Sequence, residues 1–560
     1  MAYDLLLRGG TVVDGTGAPR FRADVAIENG KIVGVGRLTG AAKRSLDADG
    51  LVVAPGVVDV HTHYDAQVCW DAVLATSAEH GATTVIQGNC GIGVAPCRSR
   101  DRDIMLQDLV VLEGMSFEVM KAGIGWEFET FPEYLDFLRR RGLGVNVAAF
   151  VPLGPLRRYE LGEASNQRAA TPEERTRIAS SLKEAMHAGA FGFSSTMTRR
   201  QTGYQGKPLP CQLADAEELR TYAGVLREVG RGVIQANVIE SVVRPTDEEL
   251  AKIDLLIEAS GGKAVTYSGA YCLAGDPEAI EKMLQKCEPL RKRGAMPQST
   301  IMAITVEIDF RNPVPFLDVD AFREIPNRPI EEQKRIYADR AWRARAKAQL
   351  GEGHKVLGAT WMNCIVLRNK NETLTPLLFK SVSEIARERG GDPFNVMLDI
   401  ALEDNLELKL LGESVNNDHR KLGRHIKDPR LLLGLHDAGA HVDMLYQAGF
   451  PTYMYGHWVR EEGAIELEHA VRRLTSELAD YFGLKDRGRV AAGKIADLMV
   501  FDPAVVGSAQ PADTILDDLP AGGVRLHSKS KGMAYTIVNG QVLIERGEHT
   551  GVLPGKIIEG

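Results

Sequence analysis

Val57-Val58-Asp59-Val60-His61-Thr62-His63-Tyr64-Asp65 is an apolar run that ends in two histidines separated by one residue. Side chains along a strand alternate faces, so residues i and i+2 point the same way. His61 and His63 therefore project side by side from the end of a buried strand, and two imidazole nitrogens so placed can converge on one metal ion. The other reading is two polar residues that simply terminate a strand. What the rest of the chain brings to this point decides between them.

Working outward, Pro55-Gly56 punctuates the entry to this strand. Before it, residues 1–56 read as short strands: Tyr3 to Leu7, a break at Gly9-Gly10, then Thr11 to Asp14. Asp24 to Ile27 and Lys31 to Val35 flank Asn29-Gly30, a hairpin signal. The far end repeats the pattern, with a strand within Gly493 to Asp502 and a second Asn-Gly hairpin, Ala534 to Val538 and Gln541 to Ile544. Two β-rich ends around a different middle predict one small sheet domain built from both termini, residues 1–56 and 485–560.

The middle, 57–484, alternates. Short β-branched runs lie at Thr83 to Gln87, Val145 to Phe150, Phe191 to Ser194, Gly232 to Asn237, Ala264 to Tyr267, Gln298 to Ile304, Val356 to Ala359 and Leu431 to Leu435. Helical spacing separates most of them, at Pro172 to Ala188, Ala216 to Glu228, Asp247 to Ser260, Pro277 to Arg291 and Glu384 to Arg389. Strand–helix alternation over about 400 residues predicts an α/β fold with a parallel sheet closed into a (β/α)8 TIM-type barrel. With the His-x-His strand there are nine candidates, one too many. Residues 305–350, rich in Arg, Pro and Glu, fit no barrel element and read as an excursion, with a lid as one use for it.

Composition narrows the class. Of 560 residues 44% are hydrophobic and 25% charged, a globular balance, and the net charge of −8 gives no reason to expect nucleic acid or an anionic membrane as partner. Seven scattered cysteines without a CxxC pair argue against a disulfide framework. No basic leader and no 18-residue apolar stretch is visible. The expectation is a cytoplasmic protein acting on a small molecule, with self-association into a homo-oligomer left open.

Chemistry in such a barrel sits at the C-terminal ends of the strands. Cys90 follows the second strand inside a Gly88/Gly91/Gly93 loop; it reads either as a thiolate ligand or as a small buried apolar residue. Leu435-His-Asp-Ala-Gly-Ala-His441 ends a late strand. Asp437 can bind a metal and take a proton from water, or merely form the turn, while His436 would face the opposite way. Of thirteen histidines none lies between 188 and 353, so the middle strands supply no histidine ligand, and Asn237 and Tyr267 end two of them instead. Each can hydrogen-bond a substrate. Thr198-Arg-Arg-Gln-Thr-Gly-Tyr204 holds two cations and a phenol; Arg199 and Tyr204 are the candidates to grip an anionic substrate group, against the alternative of a solvated loop. His441 is a further candidate contact, and Trp361 reads equally as pocket lining or core.

Together these segments resemble the amidohydrolase superfamily, and within it the D-aminoacylase branch. The matching stretches are Ala54 to Asp65, Gly81 to Gly91 with Ala95-Pro96, Ala188 to Ser194, Leu435 to His441 and Gly488 to Asp502. The resemblance implies a metal-dependent barrel beside a small β-sandwich from both termini, with His61, His63 and Cys90 as metal ligands. It implies that Asp437 binds or faces the metal and serves as general base and acid while activated water attacks an amide carbonyl. Two features depart from the branch. Its two mid-barrel histidines have no counterpart here, which predicts one zinc ion rather than two. The arginine about eleven residues after the catalytic aspartate, which holds the substrate carboxylate, is replaced by Ala448. The function expected is hydrolysis of a carbon–nitrogen bond outside a peptide chain, in the manner of an N-acyl-amino-acid deacylase. The rivals are cyclic-amide, ester, lactone or lyase chemistry on the same barrel, or a metal-free protein that binds a small molecule.

Overall fold

The structure, a computed structural model, describes residues 2–560 except 242, 274–275, 277, 318, 327, 352–357, 443–445 and 510–513. Eight parallel strands follow one another round a barrel: β1 (Val57–Asp59), β2 (Ala82–Gln87), β3 (Asn146–Pro152), β4 (Gly192–Thr196), β5 (Val233–Asn237), β6 (Val265–Ser268), β7 (Ala295–Ser299) and β8 (Leu432–Leu433). Each pairs with the next, β1 to β8 in order. The ring closes just past β1, where Thr62 bridges Ala438 in parallel and the His63 N–H donates to the Ala438 carbonyl at 2.8 Å. The strands are buried on both faces, which is why they read as nearly continuous apolar runs.

The outer helices start where the sequence supplies caps. Thr171 and Thr246 each accept from the N–H three residues on, and Glu174 and Glu249 return a carboxylate to the cap N–H, opening the helices Pro172–His187 and Asp247–Ala259. Asp215 caps Ala216–Val229 in the same way on one side. The bottom of the barrel is filled by Val58, Phe150, Phe191, Val233 and Leu432 together with Leu478 and Phe482 of the helix Ser476–Tyr481 and its end. The Tyr481 hydroxyl donates to the carbonyls of Val265 (2.8 Å) and Gly294 (2.9 Å). A cavity lies at the other end of the barrel.

Both termini build one nine-stranded sheet. Tyr3–Val12 pairs with Phe21–Glu28, Ala42–Asp47 and Val52–Pro55; the last of these pairs with Leu498–Phe501, which continues to Met533–Val538 and Gln541–Glu545. Strand alternation divides the side chains between two cores. Val53, Leu498 and Val500 join Leu5, Val25 and Ile537 inside the β-sandwich, while Val52, Ala54, Met499 and Phe501 pack on the barrel. The expected break at Gly9-Gly10 is instead a bulge inside one strand: Gly9 takes φ +67°, which glycine adopts without a Cβ penalty, and pairing with Phe21–Glu28 resumes at Gly10.

Two sequence expectations need correction in the late barrel. The run Gln298 to Ile304 splits: β7 ends at Ser299, and Ile304–Asp309 begins a three-stranded antiparallel sheet with Lys409–Val415 and Ile365–Arg368. In the surplus run Val356 to Ala359, Val356 and Leu357 lie outside the described residues, and Gly358 begins a 3-10 segment, Gly358–Asn363. The excursion is therefore larger than 305–350. It runs from Ile304 to Val415 with its own core of Phe310, Phe316, Phe322, Tyr337, Trp342 and Phe394. Trp361 packs on Phe394 in that subdomain. All seven cysteines are free and buried. Among the described residues no helix is long and apolar enough to cross a membrane.

Candidate metal centre

His61 and His63 leave the C-terminal end of β1 fully or nearly buried, at the floor of a cavity of about 360 Å³ in the barrel mouth. The His61 Nδ1–H donates to Gln298 Oε1 of β7 at 2.6 Å, which leaves Nε2 as the lone-pair nitrogen facing the cavity. That Nε2 lies 3.3 Å from Cys90 Sγ and 3.3 Å from Asp437 Oδ1. His63 Nε2 is 3.5 Å from the same Asp437 oxygen, and its Nδ1 is 3.5 Å from Glu113 Oε2, at the end of the helix Arg102–Glu113.

Cys90 reaches this point because the loop after β2 turns back on itself. Cys90 has φ +60°, and the flanking Gly88 and Gly91 have φ +78° and +71°. A Cβ on Gly88 would stand 2.4 Å from the Phe150 carbonyl, and one on Gly91 would stand 2.8 Å from Ser195 Cα, so both positions require glycine. Middle-strand side chains pin the loop: the Cys90 N–H donates to Gln235 Oε1 (2.6 Å), Thr196 Oγ1 donates to the Cys90 carbonyl (2.6 Å), and the Gly91 N–H donates to Ser194 Oγ (2.9 Å). Asp437 and His441, at φ +50° and +45°, sit on a tight loop past β8, and the His441 N–H donates to the Glu113 carbonyl.

The charges balance one another. Burial disfavours charge on every member, yet Cys90 and Asp437 hold His61 above the usual imidazole range, and Glu113, Asp437 and Cys90 hold His63 well above it. Conversely, the two imidazoles draw Cys90 below the usual thiol value against its burial, and draw Asp437 down to about 2. Two anionic donors and two imidazoles around one point are a set that a dication would satisfy. The geometry agrees. Donor atoms of His61, His63 and Cys90 lie within 4.8 Å of one another. A tetrahedral ion with bonds of about 2.0–2.3 Å needs donor separations of roughly 3.3–3.8 Å, and His61–Cys90, His61–Asp437 and His63–Asp437 measure 3.3, 3.3 and 3.5 Å.

Of the other sequence candidates, Asn237 and His441 line the cavity. Tyr267 does not: it is one residue out of phase, packs outward into the core beside Cys287, and leaves Ser268 to face the mouth. Nor do Arg199 and Tyr204. The Arg199 N–H donates to Glu240 and the Tyr204 N–H to Asp108, and it is the neighbour Arg200 that lines the cavity. His436 turns away from the metal centre as expected, stacked on Phe450 at 3.7 Å and pushed down to about 3 by burial. Ala448 lies outside the cavity lining. Gln298, Gln235, Glu113 and Tyr271 were not legible as site residues, and only the position of Gln298 and Gln235 near strand ends could have flagged them; Arg200 is the second of the two cations read in the loop Thr198 to Tyr204.

A model of the amidohydrolase family matches residues 44–297 and 365–544. D-aminoacylase of Alcaligenes xylosoxydans xylosoxydans is 26% identical over 99% of this chain and 97% of its own length. N-acyl-D-glutamate deacylase of the same organism is 27% identical over 99% and 96%. Among solved structures, D-aminoacylase superimposes with a TM-score of 0.67 at 24% identity, covering all of both chains. N-acyl-D-glutamate deacylase from Bordetella bronchiseptica, solved with zinc and a phosphonate inhibitor, gives 0.67 at 23%, again over both whole chains. These likenesses show the fold, a TIM-type barrel with a β-sandwich.

Proposed function

The chain belongs to the amidohydrolase family, metal-dependent hydrolases of carbon–nitrogen bonds other than peptide bonds, and from that premise we propose an N-acyl-amino-acid deacylase-like enzyme built on a single zinc ion. One observation carries the reading: ligand atoms of His61, His63 and Cys90 lie within 4.8 Å of one another in the barrel mouth, and Asp437 Oδ1 stands 3.3 and 3.5 Å from the two imidazoles. The single ion is supported by β5 and β6, which offer Gln235, Asn237 and Ser268 where a second site would need imidazoles; amides and hydroxyls are poor zinc ligands.

A divalent ion bound there supplies Lewis acidity, polarising a carbonyl and easing proton loss from water near neutral pH. The residues do the rest. Gln298 fixes His61 in the tautomer whose Nε2 is free to bind. Asp437, held as a carboxylate at neutral pH, takes a proton at Oδ1 or Oδ2 from the attacking water and returns it to the leaving nitrogen. The cavity of about 360 Å³ admits a small molecule, and Leu112, Leu435 and Tyr271 line it beside the polar groups. Metal analysis of chelator-free protein should find about one zinc per chain, and Asp437→Asn should lower kcat on N-acyl amino acids by roughly 10²–10⁴-fold. Two ions per chain would overturn the single-ion reading, and full activity in Asp437→Asn would overturn the assigned base.

A further inference from the structure

Arg200, on the loop after β4, is a cation lining the cavity that holds His61, His63 and Asp437. Its guanidinium donates to the Ile239 carbonyl at 3.3 Å, and among the described residues it pairs with no carboxylate. A guanidinium carries five N–H donors, so most of its hydrogen-bonding capacity is unspent. The loop that presents it is fixed in advance. Gln212 Nε2 donates to the carbonyls of Thr198 (2.6 Å) and Gln201 (2.7 Å), and the N–H groups of Arg199 and Tyr204 are held by Glu240 and Asp108 at 2.7 Å each. Arg200 is solvent-exposed, so its remaining N–H groups face water and are available to an anionic ligand.

The surroundings say what kind of ligand. Tyr271 reports that Arg200 and Asp437 act on the same space: burial raises its hydroxyl, Asp437 raises it further and Arg200 pulls it back. A single guanidinium neutralises one negative charge, and its planar fork matches the two oxygens of a carboxylate. That favours a carboxylate over a phosphate. Ser268 and Asn237, hydrogen-bonded to each other on the adjoining wall, add neutral polar groups.

We propose that Arg200 sets substrate specificity by binding a carboxylate of the substrate in a bidentate pair, with the scissile amide lying at His61, His63 and Asp437. This rests on the amide-hydrolase reading above, and the test separates the two. Acetate release is measured from an N-acetyl amino acid and from its C-terminal carboxamide, in the wild type, Arg200→Gln and Arg200→Lys, with zinc content recorded for each. The wild type should prefer the acid. Arg200→Gln should raise KM for the acid by roughly 10–150-fold and cut the acid-to-carboxamide preference by at least tenfold, with zinc retained; Arg200→Lys should restore part of it. An unchanged preference overturns the proposal. If the wild type hydrolyses neither compound, the hydrolase reading fails, and calorimetric titration of the N-acetyl amino acid decides Arg200 alone. Binding weakened at least tenfold by Arg200→Gln upholds it, whereas equal binding to both proteins, or binding to neither, overturns it.

Discussion

Gln298 lies 237 positions along the chain from His61, yet a 2.6 Å hydrogen bond between them decides which imidazole nitrogen faces the cavity. Such partners of metal-binding histidines typically matter 10–100-fold in metal affinity. Gln298→Leu keeps the side-chain volume but removes the acceptor, so it should weaken zinc binding by that factor, measured by competition with a chromogenic chelator. Affinity equal to wild type would show that packing alone orients the ring. Gln298 also marks where sequence reading stops at this scale. His61, His63, Cys90 and Asp437 were legible because they are chemically distinctive residues at the ends of predicted strands. The glutamines and the glutamate that position or complement them look like any other polar residues. Tyr267 shows how fine the margin is: the strand was read correctly, but the inward face belongs to Ser268, and a period of two turns a one-residue error into the opposite side of the wall.

Among elements, β8 has the least regular structure of its own, two residues, and yet it delivers Asp437. Its approach is braced by Arg430, whose guanidinium bonds Asp428 (2.6–3.1 Å) and reaches Glu281 on the helix Ala279–Arg291 at 2.7 and 3.0 Å. Burial alone would raise the Asp428 carboxyl, but Arg430 takes it below its ordinary 3.8; Arg430 lowers Glu281 below 4.5 against a smaller burial effect. Both folded values are depressed, so the stabilisation is present above the unfolded values and is lost as pH falls through the folded ones. The groups are part-exposed, which limits the worth of the bridge. Arg430→Met should therefore lower Tm by roughly 1–2 °C at neutral pH, and the difference should close below about pH 4. A gap that persists unchanged in acid would assign the effect to packing instead. The capped helices and Asn-Gly hairpins were readable because each carries its own local signal. The Gly9-Gly10 bulge was not, since the same glycines also spell a turn; only pairing with Phe21–Glu28 decides between them.

At the scale of the molecule the chain has a barrel, a sandwich made by both termini, and an inserted subdomain with its own core, which also sends Ile365, Leu367 and Leu411 into the barrel cluster. The sequence announced the first two through strand–helix alternation and matching β-rich ends. It announced the third only as a misfit at 305–350, because its strand Ile304–Asp309 pairs with Lys409–Val415, about a hundred residues on, and long-range antiparallel pairing leaves no periodic trace. Family matching is silent over 298–364, which covers the first half of this insertion. Besides those three apolar side chains, hydrogen bonds tie its base: the Cys272 N–H donates to Asn416 Oδ1 (2.7 Å), Asn416 Nδ2 to Thr300 Oγ1 (2.8 Å), and Gln447 Nε2 to the Ala303 carbonyl (2.7 Å). A unit with its own core and a hydrogen-bonded hinge should fail without taking the barrel with it. Phe322, buried against Phe316, Trp342 and Phe394 with ring centroids 4.8–6.5 Å away, is the place to test that. Phe322→Ala should cost the insertion about 3–5 kcal/mol and produce a separate low-temperature transition in calorimetry. Zinc content and the main transition should stay as in wild type. If instead the whole protein unfolds in one transition at lower temperature and releases its zinc with it, the insertion is a working part of the barrel's stability.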